Sequence, residues 1–364
     1  MRISDIRLRG NVVSFTLTLV YLMAVKIMKG TYAWASSYPD FWMRRCHRRG
    51  FDDLYGTELK SGAELARLLK NVPWLPEILL IGNFPADRQA IRAAAVAAGI
   101  NVVHSEDGFF PHYETLHADP LGFCWESSIP GMQISSCSER QRQKADATRC
   151  AILTNPPGEI PPCIRKPYVL WPLQLIADQV NVCDLNVKSW AGLIRHFRGA
   201  LPAKYQLVIK QHPRAELKDE IGLHDLAHQL PNTLMVSKTA SLPALLRECS
   251  AVAGANSTVL HEARLIYHKP VYAYARSWFT NHAELIFPIS QKMSEALPHF
   301  EIVEDNRLLR TERLDAYADW YLAQLLARQI SRETAQTPSK LREWVLRLSY
   351  HSYLKYGEEI FLNC

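Results

Sequence analysis

Residues 251–274 read AVAGANSTVLHEARLIYHKPVYAY, and the reading of this stretch decides the fold class. A short run of small apolar residues leads into Asn256, Ser257 and Thr258. An apolar spacing of helical period follows, then a second short apolar run, PVYAY. The pattern is strand, tight turn, helix, strand, the repeating unit of a parallel α/β sheet. At a helix start, free backbone N–H groups and short hydroxyls can hold a phosphate. Ordinary N-capping uses the same residue types, so Asn256, Ser257 and Thr258 fit both roles. Glu262 falls about one turn inside this helix, where it could reach a sugar hydroxyl.

Working outward, YVLWPL, KSWAGLIRHFRGAL, YQLVIK and LPALLREC continue the alternation of short apolar runs with longer periodic segments. YQLVIKQHPR (205–214) is an apolar strand ending in Lys210, His212 and Arg214. Three cationic side chains at one strand end suit an anion, since Lys and Arg neutralise phosphate or carboxylate directly. The alternative is a solvated basic loop fixed by Pro213. KPYVLWPLQLIADQVNV (166–182) carries a strand into Pro172, then Gln174, Asp178 and Gln179. Asp178, a lone carboxylate beyond a strand end, is either a helix cap or a nucleophile, and the residues alone favour the cap.

The first half has the same grammar. EILLIGNF (77–84) reads as a strand, ADRQAIRAAAVAAGI (86–100) as a helix stopped at Gly99, and NVVHS as a second strand ending at Glu106. Ligands of parallel α/β units bind outside the carboxyl ends of strands, so Glu106 is placed for function. Glu106-Asp107-Gly108 is also ordinary acidic turn chemistry, and Asp107 fits that description best. Between the halves, NPPGEIPPCIRKP (155–167) holds five prolines and cannot be helix interior or central strand. It reads as a linker. The expected organisation is an N-terminal Rossmann-like domain over 1–160, a second over 161–310, and helices over 311–364 that pack back on them.

Composition narrows the function classes. The chain has 364 residues, 48% hydrophobic and 21% charged, with a net charge of +6. It is a core-forming protein with room for two domains. So mild a positive charge suits an anionic ligand or an acidic membrane surface and does not argue for nucleic acid. The eight cysteines show no CxxC spacing and read as reduced thiols of a cytosolic enzyme. No HExxH motif is present, and no metal is expected. At the N-terminus, Arg2, Arg7 and Arg9 precede NVVSFTLTLVYLMAV (11–25), with a small-x-small site at Ala33-Trp34-Ala35. A targeting segment and a core strand or helix are both open there, and the run is short for a membrane span. The basic cluster MRRCHRRG (43–50) and the aromatic group Tyr350, Tyr353, Lys355 and Tyr356 offer peripheral membrane contact or simple helix faces.

Together these motifs resemble the bacterial capsular polysaccharide synthesis family. The stretch EDGFFPHYETLHADPLGFCWESS carries Glu106, Gly108, Phe109, Asp119, Gly122 and Ser127 or Ser128 in the family's order. Pro172, Gln174 and Asp178 follow, then Lys210-x-His212-Pro213, then Asn256-Ser257-Thr258 with Glu262-Ala263 and Lys269-Pro270-Val271. The resemblance covers roughly residues 75–275 and implies a GT-B glycosyltransferase with an interdomain cleft. It further implies a retaining transfer of Kdo from CMP-β-Kdo to a glycan or glycolipid acceptor, in capsule or lipopolysaccharide synthesis. On that comparison Asp178 is the nucleophile and Glu106 the acid/base. Lys210, His212 and the helix start at Asn256, Ser257 and Thr258 take the donor, with Arg214 the candidate for the sugar carboxylate. Gln174 and Gln179 serve the acceptor or the fold. No metal or other cofactor is implied, and the expected location is cytoplasmic, at the inner membrane face. The family's capsule enzymes usually carry two such modules, and this chain has room for one.

Overall fold

The computed structural model describes residues 12–15, 63, 66, 78–82, 88–112, 114–176, 178, 181, 184–185, 187–215, 222–282, 285–288, 311–335 and 337–361. Gln179, the cluster at 43–50 and the site at 33–35 lie outside the described residues, as do residues 16–25 of the N-terminal apolar run. The chain divides into two compact units, one of residues 1–132 and 324–364, the other of residues 133–323.

The strands are β1 (Val12–Phe15), β2 (Ile78–Gly82), β3 (Asn101–Asp107), β4 (Thr115–Asp119), β5 (Tyr168–Pro172), β6 (Gln206–Lys210), β7 (Thr233–Val236), β8 (Ala251–Gly254), β9 (Val271–Ala273), β10 (Phe287–Pro288) and β11 (Gln329–Ser331). The helices are α1 (Arg88–Ala97), α2 (Glu139–Thr154), α3 (Ala191–Ala200), α4 (Leu223–Gln229), α5 (Leu242–Glu248), α6 (Thr258–Leu265), α7 (Glu312–Ala327), α8 (Arg332–Ala335), α9 (Pro338–Arg347) and α10 (Tyr350–Tyr356).

In the second unit six strands form one parallel sheet in the order β10-β9-β8-β5-β6-β7. Read from its other edge this is the 3-2-1-4-5-6 order of a Rossmann fold, with the reversal between β5 and β8. Tyr168, Val169, Leu170 and Trp171 of β5 are all buried, as a strand covered on both faces must be. Trp171 and Tyr272 meet Phe197 of α3 edge-on at 5.5 and 6.1 Å, which fixes that helix against the sheet. The proline-dense run lies downstream of the division between the units and is strapped to the second one. Arg247 donates to the carbonyl of Asn155 at 2.9 Å, Ser241 to that of Pro157, and the Arg165 N–H bonds Gln206 at 2.7 Å.

The first unit holds a mixed sheet, β1-β2-β3-β4-β11. β1, β2 and β3 are parallel, whereas β4 and β11 run antiparallel. After Glu106 the chain turns back as an antiparallel pair, and Gly108 permits the turn. Its N–H bonds Thr115 at 3.0 Å, and a β-carbon there would lie 2.9 Å from the Thr115 β-carbon. The C-terminal tail is not wholly helical, because Gln329–Ser331 pair with His117, Leu116 and Thr115 as the edge strand.

A buried ionic cluster closes this unit. Asp119 and Arg328 are both fully buried, with Arg328 Nε donating to Asp119 Oδ2 at 3.1 Å. Arg328 Nη2 and the Ser128 hydroxyl extend the contact, at 2.7 Å each, and Asp119 also accepts the N–H groups of Leu121, Gly122 and Ser128. The Asp-x-x-Gly and serine motif is thus a carboxylate nest built for one guanidinium, whose face lies 3.4 Å from the Phe361 ring centroid. Removing one partner of a buried pair typically costs about 3–5 kcal/mol. Arg328→Met is expected to destabilise the first unit by that amount and Arg328→Lys by less, measured by denaturant unfolding at pH 7. A loss under about 1 kcal/mol would reduce the pair to the worth of a surface ion pair.

Candidate active site

Eight residues singled out from the sequence converge at the carboxyl ends of three adjacent strands of the second unit. Gln174 and Asp178 follow β5, Lys210, His212 and Arg214 end or follow β6, and Asn256, Ser257 and Thr258 follow β8. Neighbouring strands lie about 4.8 Å apart, so the three loops share roughly 10 Å of sheet edge. This edge includes the point where strand order reverses, the place at which open α/β sheets bind ligands.

Each side chain has a definite setting. Ser257 N-caps α6, its hydroxyl accepting the Val259 N–H at 3.3 Å. Asn256 is buried, and its amide is committed to neighbouring loops. Its N–H and side-chain oxygen pair with both ends of the Gln174 amide, at 3.1 and 3.0 Å, while its Nδ2 donates to the Arg276 carbonyl at 3.1 Å. Gln174 is therefore a structural partner of the turn before α6. Lys210 is also buried, and its ammonium donates to the carbonyls of Gln211 and Lys238 at 3.2 and 3.0 Å. Burial lowers its pKa. His212 accepts the Arg214 N–H on Nδ1 at 3.1 Å, which places the neutral ring's proton on Nε2. Arg214 is exposed, and Asp178 is half-buried in a turn, its N–H bonding the Leu175 carbonyl at 3.1 Å.

Glu262 lies half-buried on α6, and desolvation pushes its carboxyl up to about 7. The helix is fixed around it by His261, stacked on Phe279 at 3.9 Å, and by Arg149, which donates to the Leu265 carbonyl at 2.8 Å and pairs with Asp319.

Glu106 and Asp107 belong to the first unit. Glu106 sits within β3 opposite His117, half-buried, and its carboxylate accepts the Asp107 N–H at 3.1 Å. Asp107 is ion-paired with Arg332, which gives it a structural task. The aromatic group of α10 is partly packed, with Arg92 over Tyr350 at 5.2 Å, while Tyr356 is exposed. A cavity of about 340 Å³ lies elsewhere in the second unit, between Cys137 and Arg142 near the start of α2 and Arg313 and Tyr317 of α7. It holds none of the sequence-derived site residues. His224 and His228 stand one turn apart on α4, both exposed, and His224 contacts Gln211. Among the described residues no group of three His, Cys, Asp or Glu could hold a metal ion.

Sequence reasoning missed Trp190, Asp184 and Arg276. Trp190 donates its indole N–H to the Gln174 carbonyl at 2.7 Å, and Asp184 takes the Arg276 backbone N–H and Nε at 2.7 and 2.6 Å. Their spacing of up to 92 residues leaves no local signal.

The family model for capsule polysaccharide biosynthesis proteins matches residues 163–282, which hold every site residue after Glu106 and Asp107. Among curated proteins none matches the chain. Of solved structures, the chain is similar to the β-Kdo 2,7 transferase of KpsC from Thermosulfurimonas dismutans, at 16% identity and TM-score 0.49, over 92% of this chain and 99% of that one. The β-Kdo 2,4 transferase of the same protein follows at 12% and 0.49, over 85% and 90%. A UDP-GlcNAc 2-epimerase from Neisseria meningitidis, bound to UDP-GlcNAc, aligns at 13% and 0.37, over 87% and 99%. No helix among the described residues is long and apolar enough to cross a membrane.

The Glu262 carboxyl supplies a pH test. The folded state binds its proton more tightly than the unfolded chain, whose ordinary value is 4.5, so this group's contribution to stability is lost as pH rises from about 4.5 to about 7. At about 1.4 kcal/mol per pH unit, the difference between wild type and Glu262→Gln should change by about 3 kcal/mol across that window in the variant's favour. Urea unfolding at pH 4.5, 6 and 7.5 measures it, and a constant difference would place Glu262 in water.

Proposed function

We propose that the protein is a retaining glycosyltransferase of capsule polysaccharide synthesis that moves Kdo from CMP-β-Kdo to a glycan acceptor. The observation that carries the reading is the convergence of the family's residues at the ends of β5, β6 and β8, beside the strand-order reversal. The Kdo donor and the retaining outcome rest on the motif resemblance.

The chemistry asks for two things of this chain. Departure of CMP builds negative charge on its phosphate, which cations and N–H donors must meet. The start of α6 at Ser257 and Thr258, the Nε2 proton of His212 and the exposed Arg214 supply them, while buried Lys210 adds charge and holds its loop. Retention then follows from two displacements. The Asp178 carboxylate attacks the anomeric carbon as its bond to the phosphate oxygen breaks, giving a glycosyl-enzyme and free CMP. The acceptor hydroxyl next loses its proton to Glu106 and attacks the same carbon, releasing Asp178. Glu262 is assigned to a donor hydroxyl, and no metal or other cofactor takes part. The work is cytoplasmic, with the acceptor presented at the membrane.

Intact-protein mass after incubation with freshly generated CMP-Kdo tests the assignment. Wild type is expected to gain one Kdo residue and release CMP. Asp178→Ala should form no adduct, whereas Glu106→Gln should form it and fail to discharge it to acceptor. An unmodified Asp178→Ala rate would remove Asp178 as nucleophile, and absence of CMP release by wild type would remove the donor.

A further inference from the structure

The segment bearing Asp178 is pinned on both sides by a closed ring of hydrogen bonds. Four residues before Asp178, Gln174 is locked to Asn256 through both ends of its amide. Asn256 reaches the Arg276 carbonyl at 3.1 Å, and Arg276 returns to the same segment by giving its N–H and Nε to the two oxygens of Asp184. Chain from Gln174 to Asp184 completes the ring. Inside it, Asn181 donates to the Ile176 carbonyl at 2.6 Å, and Trp190 holds the Gln174 carbonyl where the ring begins.

The Asp184 carboxylate makes the closing contact and is mostly buried, its side chain 11% exposed. Arg276 is 55% exposed, so its guanidinium alone would be a weak partner. The backbone N–H at 2.7 Å makes the contact a two-point, charge-assisted one.

We propose that Asp184 and Arg276 are positioning residues for Asp178, holding its turn in register with the α6 helix start so that carboxylate and leaving group stay aligned. The proposal rests on Asp178 acting as nucleophile. Displacement of a reacting group by about 1 Å can cost about 100-fold in rate without weakening substrate binding. Asp184→Ala should therefore lower the rate of the Asp178-linked adduct by about 10- to 100-fold at unchanged KM for CMP-Kdo. Asp184→Asn, which keeps an acceptor for the Arg276 N–H, should recover part of the loss, and Arg276→Ala, which keeps the backbone contact, should lose less than Asp184→Ala.

Hydrogen exchange on the same full-length proteins gives the second readout. Exchange over residues 173–190 should accelerate in Asp184→Ala, with the thermal midpoint and the exchange of β5 and β6 preserved. Unchanged exchange over 173–190 would overturn the proposal, as would an unchanged adduct rate or a loss confined to KM. If wild type forms no adduct with CMP-Kdo, the donor reading fails by itself. The exchange comparison then decides the pin, since acceleration confined to 173–190 supports it and no acceleration overturns it.

Discussion

The second unit depends on the side-chain amide of Gln174 after β5, which pairs with the backbone N–H and the side-chain oxygen of Asn256 after β8. A parallel sheet whose strand order reverses must open a crevice there, because the two connections leave toward opposite edges. Loops on either side of such an opening have no ladder to hold them together. The two bonds take the ladder's place, joining the loops that follow two central strands. Backbone groups in the turn are thereby satisfied by protein, and the N-terminus of α6 keeps a fixed direction relative to the loop that carries Asp178.

The first unit solves a different problem with charge. Its sheet is mixed, and the loop after β4 must be closed over a carboxylate that sees no water. Five donors from three residues of that loop and Arg328 converge on Asp119. Such a nest is poor at adding net stability compared with hydrocarbon. The neighbouring His117, buried and close to Arg328, has its pKa lowered to about 3 and stays neutral, so it adds no second cation. The ionic pair of Asp107 with Arg332 joins the end of β3 to the start of α8 in the same unit.

How much of this was legible follows from the range of the interactions. β5, β6, β8, α3 and α6 were readable because a strand covered on both faces is a continuous apolar run, and a helix beside it repeats every three to four residues. The strand-end position of Lys210 and the N-cap at Ser257 came from the same patterns. β11 was not readable, since Gln329-Ile330-Ser331 becomes a strand only through pairing with β4, more than 200 residues earlier in the chain. Asp119 and Ser128 were visible as a motif but not as a nest, because their cation is Arg328. Asn256 and Gln174 read as site residues, yet only the fold reveals that the Gln174 amide is spent on Asn256 and the Asn256 Nδ2 on the Arg276 carbonyl. Glu106 was placed near its strand end correctly, while the antiparallel return that follows was hidden by a turn sequence compatible with either exit.

Arg328 has one further consequence, which concerns time instead of energy. The first unit is discontinuous, made of residues 1–132 and 324–364 around a contiguous second unit. As the chain is synthesised, Asp119 emerges more than 200 residues before the guanidinium that neutralises it. Domains form as their residues become available, so the Rossmann unit can complete itself while the first unit still lacks its closing cation and its edge strand. The last forty residues of the chain therefore act on its first third, and a ribosome that stops short of them leaves the earliest-made sheet unfinished.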